Sequence, residues 1–204
     1  MELFINKVVS SVLEIIVLSL VPFIWWLVTA RKKENFFHWV GFRKIDRTKT
    51  KSVWKAAAIV EVCFIALSFY LLYVVKGVEG LATSEFDGLG IRALPAILIY
   101  AVFNTALPEE ILFRGFILKR IANRFGFSAA NYVQCILFGF LHGAMFIKYV
   151  GLFTGILITC FTMAIAWCMG YVNEKKADGS LLPSWGIHAA ANIFSGLMAA
   201  FAVI

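Results

Sequence analysis

Six polar side chains and one phenylalanine in the second half of this chain have types and spacings suited to hydrolytic chemistry. Glu109 and Glu110 are adjacent, Arg114 follows Glu110 by four residues, and His188 precedes Asn192 by four. Phe138 and His142 share the same four-residue spacing. On a helix, residues four apart lie on one face, so Glu110 can pair with Arg114 and His188 can act beside Asn192. Glu109 is turned about 100° from Glu110 and is free to face another helix. A carboxylate kept from water is a competent general base near neutral pH. An imidazole can share that task, while a second imidazole and an amide can donate to the oxyanion of a tetrahedral intermediate. A carboxylate with two imidazoles could equally bind zinc, with water in the fourth position.

These groups lie in a setting that makes them costly. The 204 residues are 61% hydrophobic and 15% charged, with a mean hydropathy of +0.85. Ordinary soluble domains have roughly 45–50% apolar and about 25% charged residues. A disordered chain is excluded, because such chains are poor in apolar residues. The expected fold class is all-α: a polytopic membrane protein with about six transmembrane helices and a buried catalytic chamber. An ionisable side chain at the centre of an inserted helix costs about 2.5–3.5 kcal/mol and is by default a functional candidate.

Apolar runs place the spans near 8–30, 53–75, 93 onward, 128–147, 150–173 and 185–204. The third run reaches Pro108 after about 22 Å of helix, at roughly 1.5 Å per residue. That is short of the roughly 30 Å hydrocarbon core. It must continue through Glu109, Glu110 and Arg114, which draws them into the membrane. Pro108 has no N–H for the preceding turn and is expected to disturb the helix there. Residues 1–90 read as a transmembrane hairpin with a basic loop and 91–204 as the catalytic core, together one folded unit.

The net charge of +7 is topological rather than a sign of nucleic acid. Arg31, Lys32, Lys33, Arg43, Lys44, Arg47, Lys49, Lys51 and Lys55 fall on one side of a six-span model, with Lys119, Arg120, Arg124, Lys175 and Lys176. Lys7, Lys76, Arg92 and Lys148 fall on the other. Positively charged loops stay cytoplasmic, so the basic loops are expected inside the cell and both termini outside. Cys63, Cys135, Cys160 and Cys168 show no paired spacing, which argues against a disulfide framework. The first apolar run is too long for a signal-peptide core.

Other intramembrane chemistries lack their patterns. His142 is followed by Gly143, so there is no HExxH; Ser195-Gly196 lacks the preceding glycine of a serine site; Asp87-Gly-Leu-Gly sits in a loop. Glu14 and Glu61 lie inside spans as secondary chamber candidates. Gly139/Gly143 and Gly151/Gly155 are expected to permit close helix packing. Residues 35–39 (Asn-Phe-Phe-His-Trp) are expected to form an interfacial aromatic anchor, with His38 in solvent.

Glu109-Glu110-Ile-Leu-Phe-Arg114 resembles the EExxxR motif of the CAAX protease and bacteriocin-processing family, also called the type II CAAX endopeptidase or Abi family. Phe138-Gly-Phe-Leu-His142 resembles its FxxxH motif, and His188-Ala-Ala-Ala-Asn192 its HxxxN motif. All three stand in family order on separate apolar segments. The resemblance implies an intramembrane endopeptidase in which Glu109 and His142 activate water. His188 and Asn192 would stabilise the oxyanion, with Glu110, Arg114 and Phe138 in support. It favours no catalytic metal and no other cofactor; were zinc held, Glu109, His142 and His188 would be its ligands. The implied partners are the lipid bilayer and a protein or peptide substrate, for which peptide precursors, leader peptides and bacteriocins are candidates. The compact chain is similar to bacterial members, which implies a multi-pass protein of the cell membrane. Two other functions could use the same residues: a non-catalytic immunity or regulatory protein, and a small proton-coupled transporter. An inverted repeat, common in transporters, is not detectable.

Overall fold

Three helical stretches are long and apolar enough to cross a membrane: Glu2–Thr29, Thr50–Phe69 and Gly90–Lys176. The computed structural model describes residues 1–74 and 82–203. The expected end of the second span at Val75, and part of the acidic loop including Glu79, lie outside the described residues. All regular structure among the described residues is helical, so the all-α expectation holds.

Helix α1 (Glu2–Thr29) and helix α3 (Thr50–Val74) flank a core made by the later chain. Most of α1 is exposed apolar surface, including Val12, Val17, Ile24 and Val28. That is the surface expected of a helix solvated by lipid, since lipid-facing side chains gain nothing from inward burial. Glu14 is exposed on α1 and does not line the site described below.

The third stretch is one run of helical hydrogen bonding broken at two glycines. Gly126 (φ 80°, ψ 165°) and Gly151 (φ 79°, ψ 169°) leave the helical region entirely. Positive φ is open to glycine and strained for residues with a Cβ, so each reverses the chain within a single residue. The result is three antiparallel helices: α4 (residues 94–125), α5 (residues 127–150) and α6 (residues 152–176). Facing pairs establish the register. Phe113 meets Phe138 across the first reversal, and a Cβ on Gly143 would collide with Thr159 across the second. Gly139 likewise abuts Met163 and the Thr159 carbonyl. Gly139 and Gly143 therefore pack as expected. Gly151 does not: nothing would lie within 4 Å of its Cβ, and its role is the turn.

Helix α4 is not a regular α-helix. Tyr100–Ala106 and Ile111–Leu118 are π-helical, flanking a short α-helical turn at Leu107–Glu110. The missing donor of Pro108 is accommodated by these widened turns, which are often found at functional sites. Helix α7 (Leu182–Ala200) closes the bundle against α3 and the Tyr100–Ala106 turns.

The basic side is tightly tied. Helix α2 (Phe36–Val40) buries Trp39 and Val40, and Trp39 packs on Phe116. The aromatic segment is thus partly interior rather than a simple interfacial anchor. Phe37 and His38 remain exposed, with His38 hydrogen-bonded to Glu34 at 2.6 Å. Leu181 N–H donates to the Gly41 carbonyl at 2.8 Å, and Ser180 Oγ donates to Arg43 O at 2.8 Å. Lys119 donates to Glu174 at 2.7 Å and to Gly179 O at 2.8 Å. At the exposed rim, two hydrogen bonds from Thr48 hold the Asp46 carboxyl below the usual carboxylate range.

Candidate active site

The π-turns and the two reversals bring three helices together at one level. Glu109 is presented by α4, His142 by α5 and His188 by α7. Glu109 Oε2 lies 3.9 Å from His142 Nε2 and 3.8 Å from His188 Nε2. That oxygen is buried and has no hydrogen-bond partner among the described residues. Helical counting alone puts His188 too near the start of its helix to reach the other two, unless that start lies deep in the protein. It does: Ser180, Leu181 and Ser184 are fully buried.

Each imidazole is oriented by its other nitrogen. His142 Nδ1 lies 2.9 Å from the Phe138 carbonyl. A carbonyl can only accept, so Nδ1 carries the proton and Nε2 faces Glu109. His188 Nδ1 lies 3.0 Å from Glu110 Oε1, which likewise turns Nε2 towards Glu109. Phe138 supports the whole group: its ring lies tilted against His142 with centroids 4.2 Å apart, meets His188 edge-on at 5.9 Å and carries the Arg114 guanidinium at 4.3 Å.

The adjacent glutamates have different surroundings. The Glu110 side chain is 0% exposed and Arg114 1%, with a 2.8 Å ion pair between them. Glu109 is 22% exposed and His142 25%. The i,i+4 pairing of Glu110 with Arg114 is the one read from spacing. The bond from Glu110 to His188 is not readable there, because it depends on how α7 is rotated.

Further polar contacts around the site depend on helix rotation and are not readable from spacing, although the sequence itself marks Asn192 and Glu61 as candidates. Asn173 Nδ2 donates to Ser184 Oγ at 2.6 Å, and Ser184 N–H donates to Asn173 Oδ1 at 3.1 Å. This pins the first turn of α7, whose N–H groups have no intrahelical partner. Trp185 Nε1 donates to the Val102 carbonyl at 2.9 Å, within the π-helical turns. Asn192 Nδ2 donates to Thr105 Oγ1 at 2.6 Å. Glu61 on α3 has both carboxylate oxygens buried without a partner among the described residues.

A cavity of about 270 Å³ opens on Glu109, His142, His188 and Asn192. Its remaining wall includes Phe64, Tyr100, Thr105, Ile158 and Phe161. Among the described residues, no three His, Cys, Asp or Glu side chains stand in a metal-holding arrangement.

The sequence model of the family described as type II CAAX prenyl endopeptidase Rce1-like matches residues 91–194. The chain belongs to this family. The match begins just before α4 and ends after Asn192, so it spans all three motifs. It makes the chain a member of an endopeptidase family, and its apolar helices are those of a membrane protein. Comparison with curated proteins and with solved structures gave no match.

Proposed function

We propose that this protein is an intramembrane endopeptidase that hydrolyses peptide bonds with a water held by Glu109 and His142. The observation that carries this reading is the unpartnered Glu109 Oε2 between two imidazole Nε2 atoms at 3.8 and 3.9 Å. Gaps of that size suit a bridging water better than a direct bond. Glu109 removes a proton from the water as it attacks the scissile carbonyl, and His142 Nε2 accepts a second hydrogen bond from it. The proton on Glu109 is then available to the leaving amine, so one carboxylate serves as base and acid.

Oxyanion stabilisation falls to His188 and Asn192. While Nδ1–H is donated to Glu110, donation from His188 Nε2 requires the imidazolium form. Asn192 uses one amide proton on Thr105 and keeps one for the oxyanion. Glu110, Arg114 and Phe138 position His188 and His142. No step is routed through a metal.

The substrate is a protein or peptide; peptide precursors, leader peptides and bacteriocins are the candidates. The two parts of the chain, 1–90 and 91–204, act as one folded unit. It crosses a bacterial cell membrane about six times with the basic loops in the cytoplasm. The test is membrane peptidomics on cells expressing wild type, Glu109→Ala or His142→Ala. Peptides present with wild type and lost in both variants are expected; identical profiles would refute the protease reading. Full activity of the purified enzyme after chelation is the companion expectation, and loss restored by zinc would replace the metal-free mechanism.

A further inference from the structure

Among the described residues, the catalytic level is not equally accessible from the two sides of the protein. On the side of the basic loops it is closed. Glu110, Ser180, Leu181 and Ser184 are fully buried, and Arg114 and Asn173 are 1% exposed. On the other side every contributing helix continues the cavity. The wall runs from Glu109 to Thr105 and Tyr100 on α4, and from His142 to Met145 on α5. On α7 it runs from His188 to Ser195, and on α6 it reaches Ile158, towards Gly151. On α3 it includes Ser68, away from the basic loop that precedes Thr50.

Depth agrees with the direction of the wall. From His142 the chain reaches the Gly151 reversal in about nine residues, or ~14 Å. It needs about 16 residues, or ~24 Å, to reach the Gly126 reversal beside the basic residues. Met145, on the shorter route, is 61% exposed. Apart from Glu109, His142 and His188, the described residues of the wall are uncharged: aromatic, aliphatic, hydroxyl or amide.

We infer that substrate enters from the face opposite the basic loops, and that it is a peptide segment presented on that face with uncharged side chains around the scissile bond. With basic loops cytoplasmic, the substrate is an exported peptide or the extracytoplasmic segment of a membrane-anchored precursor. This inference rests on the endopeptidase reading above. A charged residue beside the scissile bond would be desolvated against a wall that offers no counter-ion beyond the catalytic groups themselves, which is costly.

The experiment uses sealed membrane vesicles of both orientations containing the full chain. Trypsin sensitivity of the loop around Arg47 and Lys51 reports which face is outward. The probe is a library of internally quenched peptides, uncharged at the centre and charged at both ends so that they do not permeate. Vesicles with the basic loop protected are expected to hydrolyse the probe at least tenfold faster than vesicles with it exposed. Detergent should equalise the two, and Glu109→Gln should abolish both. Faster hydrolysis when the basic loop is outward would overturn the inference and leave the protease reading standing. No hydrolysis even in detergent would overturn both. A readout independent of turnover is Ser195→Cys, in a chain with Cys63, Cys135, Cys160 and Cys168 replaced by Ala. It should react with an impermeant maleimide in the protected-loop vesicles; reaction confined to the opposite orientation would refute the inference.

Discussion

Glu109 and Glu110 are neighbours in sequence, yet they belong to two differently built halves of the molecule. Towards the basic loops the interior is closed and its charged and polar side chains are held in pairs: Glu110 with Arg114 and His188, Asn173 with Ser184, Lys119 with Glu174, with Glu110 Oε2 and Arg114 Nε left without a partner among the described residues. Away from them lies a cavity with an unpaired carboxylate oxygen and two imidazole edges. The sealed half holds the rings in orientation; in the proposed reaction the open half admits the substrate. One turn of helix serves both because adjacent helical residues point about 100° apart.

That contrast can be broken most sharply by exchanging the glutamates' fates. Glu110→Ala leaves the Arg114 guanidinium buried and unpaired, which typically costs about 3–5 kcal/mol. It should cause a large fall in thermal stability in detergent, together with loss of activity. Glu109→Gln should abolish hydrolysis while leaving the melting temperature within about a degree or two of wild type. If the two variants melt alike, the division into a supporting and a reacting half is wrong.

A smaller effect is expected one layer out. Asn173→Ala strands Ser184 at the first turn of α7, and a buried polar group left unpaired costs about 1–3 kcal/mol. Its open-half counterpart, Thr105→Ala, frees Asn192 to rotate. That should lower kcat several-fold with little change in stability. Melting curves and turnover measured on the same preparations separate the two. The smallest effect is at the exposed rim. The Lys49–Asp178 pair is solvent-exposed on both sides, and such pairs contribute little. Lys49→Ala should change neither stability nor activity; a marked loss would extend the sealed half to the surface.

What could be read in the residues follows the range of the forces involved. The membrane class, the helical fold and the Glu110–Arg114 pair are set by composition or by spacing within one helix, and both are visible in sequence. Gly126 and Gly151 punctuate the long apolar stretch, but Gly151 reads equally well as half of a packing motif; only its left-handed φ separates the two uses. The Glu110–His188 and Asn192–Thr105 bonds join positions about 80 residues apart. They depend on the rotation of α7, which no local pattern encodes. The π-helical turns are equally silent, since Tyr100–Ala106 is an ordinary apolar segment apart from Asn104 and Thr105. Trp39 misled for a related reason: an aromatic beside a basic loop looks interfacial until Phe116 is found packed on it.

The widened turns before Pro108 have a consequence for how this site can vary. A π-turn is in effect an α-turn carrying one additional residue, and one residue is worth about 100° of rotation. Were Tyr100–Ala106 to rewind as an ordinary α-helix with every residue kept, that residue would no longer be absorbed within the turn. Everything before the segment would then be swung about a quarter-turn relative to everything after it. Thr105 and Asn192 would part, Trp185 would lose the Val102 carbonyl, and Glu109 would face a different neighbour although its motif remained intact letter for letter. A chain could thus keep EExxxR, FxxxH and HxxxN and still be inert, silenced by a change of winding in a stretch that carries no motif.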